Sequence, residues 1–346
     1  MPRPMNNEKK VDLMWDFSIR RSAQILLKTF PFVLLRCAVY FGMALAYVLI
    51  TGIGAGLGWT IGALGTPDFQ ATATAVGAFG GLGLTAAVLY LLREYLLYLV
   101  KAGHIAVMVL LLDGQAPPEG RSQITHATQI VKSRFAQAST LFALDLLIKG
   151  VVRAITGIVH GLLHILPLPG IQQISRLIHA FLRVAIGLAD EIILAYALRT
   201  QSESPWRAAQ TALVLYGQNA HNLLKNAAWL TLFNYTLALL VFAMMLAPAA
   251  GLAWLMPGSL SALGIVFAIL LAWAFKAAIL EPFALACMMQ SYFRAIEGQT
   301  PDPAWEQRLE SASSKFRELK DKVQAWGTGP ETAAGNTPLA KPPATQ

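Results

Sequence analysis

The chain has 346 residues, of which 55% are hydrophobic and 13% are charged, and its formal net charge is +8. Ordinary soluble domains carry about 25% charged residues, so this composition excludes a typical soluble domain. The ranges 37–92, 154–175 and 226–275 contain no Lys or Arg, and Asp68 is the only charged residue within them. Because an apolar run of about 20 residues crosses a bilayer, the pattern predicts a polytopic membrane protein.

Turn-forming residues divide each of these ranges into two apolar runs. The first range breaks at Gly65–Asp68, the second at Pro167–Gly170, and the third around Pro248 and Pro257-Gly258. The first and third ranges, of 56 and 50 residues, are each long enough for two crossings of the hydrocarbon core, and in the middle range the turn separates two apolar runs. We therefore expect an all-α fold with about six transmembrane helices, arranged as three tandem hairpins.

The distribution of Lys and Arg predicts the orientation of these hairpins. The short turns near 66–71, 167–170 and 248–259 contain no basic residue, whereas the N-terminus, the two long connections and the C-terminal region contain many. Cytoplasmic loops collect Lys and Arg, so both termini are predicted to lie in the cytoplasm, at an inner membrane of the bacterial type. Anionic lipid headgroups then account for the net positive charge, and nucleic acid is not required as a partner.

The connections also indicate an internal repeat. Apolar segments end in similar ways around Gln115, Gln201 and Gln299, and each ending is followed by a Pro-containing turn and a segment with helical periodicity. The segment 12–28 resembles a fourth copy of that helix. The predicted unit is a cytoplasmic or interfacial amphipathic helix followed by a hairpin, and the units form pseudo-repeats in parallel orientation.

The repeat predicts how the chain is organised. From about Gly327 the composition turns to Gly, Pro, Thr and Ala, which is typical of disorder. The predicted units are an N-terminal amphipathic segment (1–29), a first transmembrane hairpin (30–113), a second unit with an amphipathic helix and a charged hairpin (114–200), a third unit of the same kind (201–298), a cytoplasmic amphipathic helix (299–326) and a disordered tail (327–346).

Charged residues inside predicted spans are the main candidates for function, because each costs about 2.5–3.5 kcal/mol on insertion scales. Asp145, Lys149 and Arg153 recur every four residues and share one helix face. Arg183 and Asp190 lie on the returning helix of the same hairpin. These faces are expected to pair with one another or to line an aqueous cavity.

The third hairpin contains a second charged position. Lys276 and Glu281 lie within its returning span, and Pro282 follows Glu281 at once. Proline kinks a helix and leaves a carbonyl without a partner, and broken helices often mark binding sites in transporters. We therefore add Glu281 to the candidates, and we expect Arg93 and Lys101 of the first hairpin to form ion pairs or to extend to the inner surface.

Metal and enzyme chemistry have little support in the sequence. His160 and His164 share a helix face and His179 lies on the opposing helix, but no Asp, Glu or Cys is near them in sequence. Nucleophile-elbow, phosphate-loop and zinc-protease motifs do not occur. We expect no catalytic site, no cofactor and no bound metal.

Three segments resemble the conserved membrane region of the choline transporter-like family. They are WRAAQTALVLYGQNAHNLLKNAAWLTL (206–232), VKAGHIAVMVLLLDG with SRFAQASTLFALDLLIKGVVRAI (100–114 and 133–155), and FRAIEGQ (293–299). The family's Phe-Cys pair is replaced here by Ala220 and His221. The resemblance implies a carrier for a choline-like amine.

Three functions remain open from the sequence. A transporter for a small amine or polar solute needs rings and a carboxylate for an ammonium group, which Tyr235, Trp254, Trp273 and Glu281 are expected to supply. A membrane scaffold or assembly factor would instead bind lipid headgroups or partner proteins through its amphipathic helices. A membrane enzyme acting on lipid is the third reading. The expected partners are membrane lipids, a small amine or polar solute, and a second copy or another membrane protein.

Overall fold

The computed structural model describes residues 15–118, 121–134, 138–164, 187–200, 202, 204–254 and 264–327. Within these ranges the chain forms helices and turns, with no strand. Four of the helices are long and apolar enough to cross a membrane, which makes the chain an all-helical protein of the membrane type. These helices cover Phe30–Gly62, Pro67–Tyr90, Ala220–Gly251 and Ala268–Ala295.

The first part of the chain is a short helix followed by a long hairpin. Helix α1 (Ile19–Lys28) is capped by the Ser18 hydroxyl, which accepts a hydrogen bond from the Arg21 N–H at 3.2 Å. Helix α2 (Phe30–Gly62) and helix α3 (Pro67–Leu112) follow. The turn between α2 and α3 lies where the Gly-Thr-Pro-Asp pattern places it, because Thr66 caps α3 and a proline is accommodated in the first helical turn.

Small residues hold α2 and α3 close together. A Cβ added at Gly58 would collide with the backbone of Ala73, and one added at Gly54 would collide with the backbone of Gly77. The outward faces of the same helices carry exposed apolar side chains such as Phe79. Tight backbone contact on one face and an apolar opposite face are what a hairpin in lipid requires.

The middle of the chain alternates shorter and longer helices. Helix α4 (Arg121–Arg134) precedes α5 (Ala138–His164), and a helix over 187–200, here α6, returns to the core. Helix α7 (Pro205–Gln218) precedes α8 (Ala220–Trp254). Pro248, where we expected a break, lies inside α8; a proline at this depth is tolerated when neighbouring helices and local adjustment satisfy the freed carbonyl.

The last part of the chain contains an irregular span and two short helices. Helix α9 (Gly264–Phe275) passes through a π-helical turn (Lys276–Leu280) into α10 (Glu281–Ala295). Helices α11 (Pro303–Ala312) and α12 (Ser314–Gly327) then pack against α5 and α7. Phe316 of α12 is fully buried there.

The main hydrophobic core lies at one end of the bundle. It joins the C-terminal part of α3 with α5, α6, α7, α10 and α12. Inside it, the hydroxyl of Tyr292 donates a hydrogen bond to the Ala212 carbonyl at 3.0 Å, so the ring's polar end is satisfied although the side chain is fully buried.

Two segments that carry the family resemblance meet at the end of this core. The side-chain amide of Asn219 donates to Gln299 Oε1 at 2.7 Å, and the amide of Gln299 donates back to Asn219 Oδ1 at 3.2 Å. Gly298 adopts φ of +73° just after α10, and Gly114 adopts φ of +76° just after α3. A glycine in the left-handed conformation ends a helix and lets the chain turn sharply. The expected repeat endings at Gln115 and Gln299 therefore share the same helix-terminating conformation.

Several predictions fall outside the described residues. They concern the turn at Pro167–Gly170, the break at Pro257-Gly258, Gln201, Arg183 and the tail beyond Gly327. The arrangement as six spans in three tandem hairpins, the boundaries of the repeat units and the sidedness of the membrane therefore stay predictions.

Candidate functional site

A cavity of about 260 Å³ lies where α2, α3, α6 and α8 approach the irregular span formed by α9 and α10. Its polar and aromatic lining residues are Tyr40, Lys101, Glu191, Asn234, Tyr235, Trp273, Lys276 and Glu281. Small or aliphatic residues, such as Gly187 and Ala277, complete the wall. The cavity thus combines rings, carboxylates and ammonium groups from α2, α3, α6, α8 and the irregular span.

The π-helical turn shapes one wall of the cavity. The N–H of Glu281 donates to the carbonyl of Lys276, five residues earlier, and Pro282 has no N–H to continue the regular pattern. The extra residue brings both charged side chains to the cavity, where Lys276 Nζ donates to Glu281 Oε1 at 3.4 Å. Turns of this type are frequent at functional sites.

Aromatic rings line the same cavity. The rings of Tyr40 on α2 and Trp273 on α9 meet edge to face, with centroids 5.5 Å apart and an interplanar angle of 85°. Tyr235 of α8 is half exposed and lines the cavity as well. The faces of such rings attract cations, because their π surface is negative.

An ion pair joins α3 to α6 at the cavity. Lys101 Nζ lies 2.6 Å from Glu191 Oε1, and the Glu191 side chain is only 8% exposed. The second carboxylate oxygen of Glu191 is buried and has no hydrogen-bond partner in the part of the chain that is described. Glu191 therefore keeps acceptor capacity beyond its contact with Lys101.

A buried guanidinium lies next to this pair. Arg36 is fully buried, and none of its three guanidinium nitrogens has a hydrogen-bond partner among the described residues. Arg36 is four residues before Tyr40 on α2, so the two side chains share one helix face. It is close enough to Glu191 and Lys101 to interact with both electrostatically.

A second charged network adjoins α6 on the α5 side. Lys149 Nζ lies 2.6 Å from Asp145 Oδ2 and 3.9 Å from Asp190 Oδ2. Asp145 is buried with 4% of its side chain exposed, whereas 40% of Lys149 is exposed. This network neutralises charge between two helices, and it does not line the cavity.

The structure brings some of the predicted site residues together. Tyr235, Trp273 and Glu281 line the cavity. Asp145 and Asp190 share Lys149 in the adjoining network. Three predicted residues lie elsewhere: Trp254 is 86% exposed at the end of α8, Arg153 is exposed on α5, and Arg183 is outside the described residues.

Sequence reasoning missed Arg36, Tyr40 and Asn234. Arg36 directly precedes the first charge-free range, so it counts as an ordinary flanking charge in the topology argument. Tyr40 and Asn234 are single polar residues within apolar runs, and their spacing carries no motif. What distinguishes Tyr40 and Asn234 from other polar residues in apolar runs is their position at the cavity in the folded bundle.

In the described ranges no group of three or more His, Cys, Asp and Glu side chains is arranged to hold a metal ion. The side chains of His160, His164 and His179 lie outside what is described. The expectation that no metal is bound stays a prediction.

Comparison with known proteins gives no relative: no family model, curated protein or solved structure matches the chain.

Proposed function

We propose that this chain is a transporter-like membrane protein that binds a small amine or other polar solute in the cavity between α2, α6, α8 and the irregular span. The observation that carries the proposal is the convergence of Tyr40, Tyr235 and Trp273 with Glu281 around one space. Ring faces and a carboxylate are the groups that recognise an ammonium ion.

The size of the cavity favours a small ligand. Sites for drug-sized molecules occupy about 300–1,000 Å³, whereas this cavity is about 260 Å³. Its wall is part apolar and part charged, which is typical of a site with few orienting groups. The resemblance to the choline transporter-like family is compatible with the same ligand class.

The π-helical turn supplies a place where the span can change shape. Lys276 and Glu281 are joined to each other across it and are 42% and 31% exposed. A ligand ammonium that pairs with Glu281 in place of Lys276 would break the ion pair across that turn. We propose that six spans in three hairpins, with both termini in the cytoplasm, carry this site.

The proposal is tested by ligand-dependent thermal stability of the purified protein in detergent. A ligand that binds only the folded state raises the melting temperature by mass action. Choline and ethanolamine are expected to raise it for the wild type, and Glu281→Gln is expected to abolish the shift. Ligand-independent stability of Glu281→Gln is expected to change little, because its ion pair is part-exposed.

A matched pair of tryptophan variants controls for the loss of a large ring. Trp273→Leu removes a ring from the cavity, whereas Trp254→Leu removes one that is 86% exposed and does not line it. We expect only Trp273→Leu to lose the choline-dependent shift. Equal behaviour of the two variants, or no shift with any amine, would contradict the proposed site.

A scaffold is the second candidate function, and the ion pairs favour it. The Lys101–Glu191 pair joins α3 to α6 at 2.6 Å, and Lys149 of α5 lies 3.9 Å from Asp190 of α6, so both contacts link neighbouring helices. A separate groove of about 280 Å³ is lined almost wholly by apolar side chains, including Trp15, Trp229 and Phe283. That groove suits the acyl chain of a membrane lipid, the partner that a scaffold would bind.

A further inference from the structure

The buried guanidinium of Arg36 is the feature of the site that recognition of a simple amine does not explain. All three of its nitrogens lack a hydrogen-bond partner among the described residues, although the side chain is fully buried. An unpaired buried charge is among the costliest features in a protein interior. A ligand that carries only a positive charge would be repelled by the Arg36 guanidinium.

The charges around the inner wall of the cavity are unbalanced. Arg36, Lys101 and Lys276 contribute three cations, against the two carboxylates of Glu191 and Glu281 that line the cavity. Asp190 is next to Glu191 in sequence but its carboxylate is directed to Lys149. One further anionic group would equalise the charges beside Arg36.

The position of Arg36 shows how such a group would reach it. Tyr40 follows Arg36 by one helical turn on the same face and lines the cavity. The Lys101–Glu191 pair also lines the cavity, and Arg36 interacts electrostatically with both members. Arg36 itself does not line the cavity, so a ligand would reach its guanidinium only when a lining side chain moves aside.

We propose that the ligand is a zwitterion. Its ammonium group contacts the rings of Tyr40, Tyr235 and Trp273 and the carboxylate of Glu281, while its own carboxylate or phosphate binds Arg36 and Lys101. The inference rests on the proposed function and narrows its substrate class. Arginine suits this role, because its planar donors match a carboxylate or phosphate in two parallel hydrogen bonds. The trapped ligand would also supply the partners that Arg36 lacks.

Three probes of similar shape separate the two halves of the ligand. Choline carries only the ammonium, 3,3-dimethylbutyrate only the carboxylate, and glycine betaine both. For the full-length wild type in detergent, betaine is expected to bind about 10- to 100-fold more tightly than choline, the amount that charge-assisted hydrogen bonds contribute. Dimethylbutyrate is expected to bind less tightly than betaine.

A variant then assigns the difference to Arg36. Arg36→Met is expected to bring betaine binding down to the level of choline and to leave choline binding unchanged or improved. Its ligand-free melting temperature should rise, since an unpaired buried charge is replaced by an apolar chain of similar length. Arg199→Met is the control, because Arg199 does not line the cavity and forms an ion pair of 2.7 Å with Asp113. This variant should keep the preference for betaine.

The outcomes distinguish failure of this inference from failure of the proposed function. If choline binds and betaine binds no more tightly in the wild type, the ligand is a simple amine and the zwitterion is ruled out. If the preference for betaine survives in Arg36→Met, another residue holds the anion. If neither ligand binds, both proposals fail. The comparison of the three probes on the wild type tests whether the ligand is a zwitterion even if Arg36→Met does not fold.

Discussion

Lys101 on α3 and Glu191 on α6 form an ion pair of 2.6 Å at the wall of a cavity inside an apolar helical bundle. The pair connects α3 of the first hairpin to α6. It also places a carboxylate oxygen, Glu191 Oε2, in a buried position without a partner in the described ranges. Under the proposed function, stability and ligand recognition depend on the same two side chains.

The first prediction concerns this pair. Glu191→Gln or Lys101→Met alone leaves a charge in a low-dielectric site, and we expect each to cost about 3–5 kcal/mol, as for other buried pairs. The double variant should recover part of that loss, because both charges are removed together. Thermal unfolding of the four proteins in one detergent measures the coupling; additive losses would show that the two residues act independently.

The second prediction concerns the contact between α2 and α3. Gly58→Ala would drive a methyl group into the backbone of Ala73, and we expect a destabilisation of about 1–3 kcal/mol. Gly56→Ala is the matched control two residues away, where no atom lies within 4 Å. Alanine there should be neutral or stabilise by about 0.5–1 kcal/mol. Equal melting temperatures for the two variants would argue against close packing of this hairpin.

The third prediction tests whether α12 is part of the folded core. Phe316 is fully buried, so Phe316→Ala should cost about 3–5 kcal/mol. Phe79→Ala, at a side chain that is 72% exposed on the lipid-facing hairpin, should have little effect. A small loss for Phe316→Ala would mean that the C-terminal helices are dispensable for the stability of the membrane domain.

The fourth prediction concerns sidedness. After Cys37 and Cys287 are replaced by Ala, a cysteine at Leu64 is expected to react with a membrane-impermeant maleimide in intact cells. Leu64 is 90% exposed in the α2–α3 turn.

The matched position is Gln115, which is exposed after Gly114 at the opposite end of α3. Its cysteine variant should react only after the membrane is permeabilised. Labelling of Gln115→Cys in intact cells, with protection of Leu64→Cys, would reverse the orientation inferred from the Lys and Arg distribution.

The sequence predicts the helical membrane class and the α2–α3 turn because both follow from local rules. Charge-free apolar runs require lipid, and a capping threonine before a proline starts a helix. Pro282 likewise indicates an irregular span, and the structure has a π-helical turn just before it.

The sequence does not predict which polar residues converge. Glu281 and Tyr235 are 46 positions apart by their numbers and on different helices, so only the packing of α8 against α9 and α10 brings them to one cavity. Trp254 has the same chemistry as Trp273 but ends on the outside of α8. Arg36 resembles a flanking topological charge until its burial is known.

The most direct test of the central claim is equilibrium binding of radiolabelled glycine betaine and choline to the full-length protein in lipid nanodiscs. The account predicts saturable binding of both at one site per chain, with betaine the tighter ligand and with loss of both in Trp273→Leu but not in Trp254→Leu. Absence of saturable binding in the wild type, or binding that survives in Trp273→Leu, would contradict it.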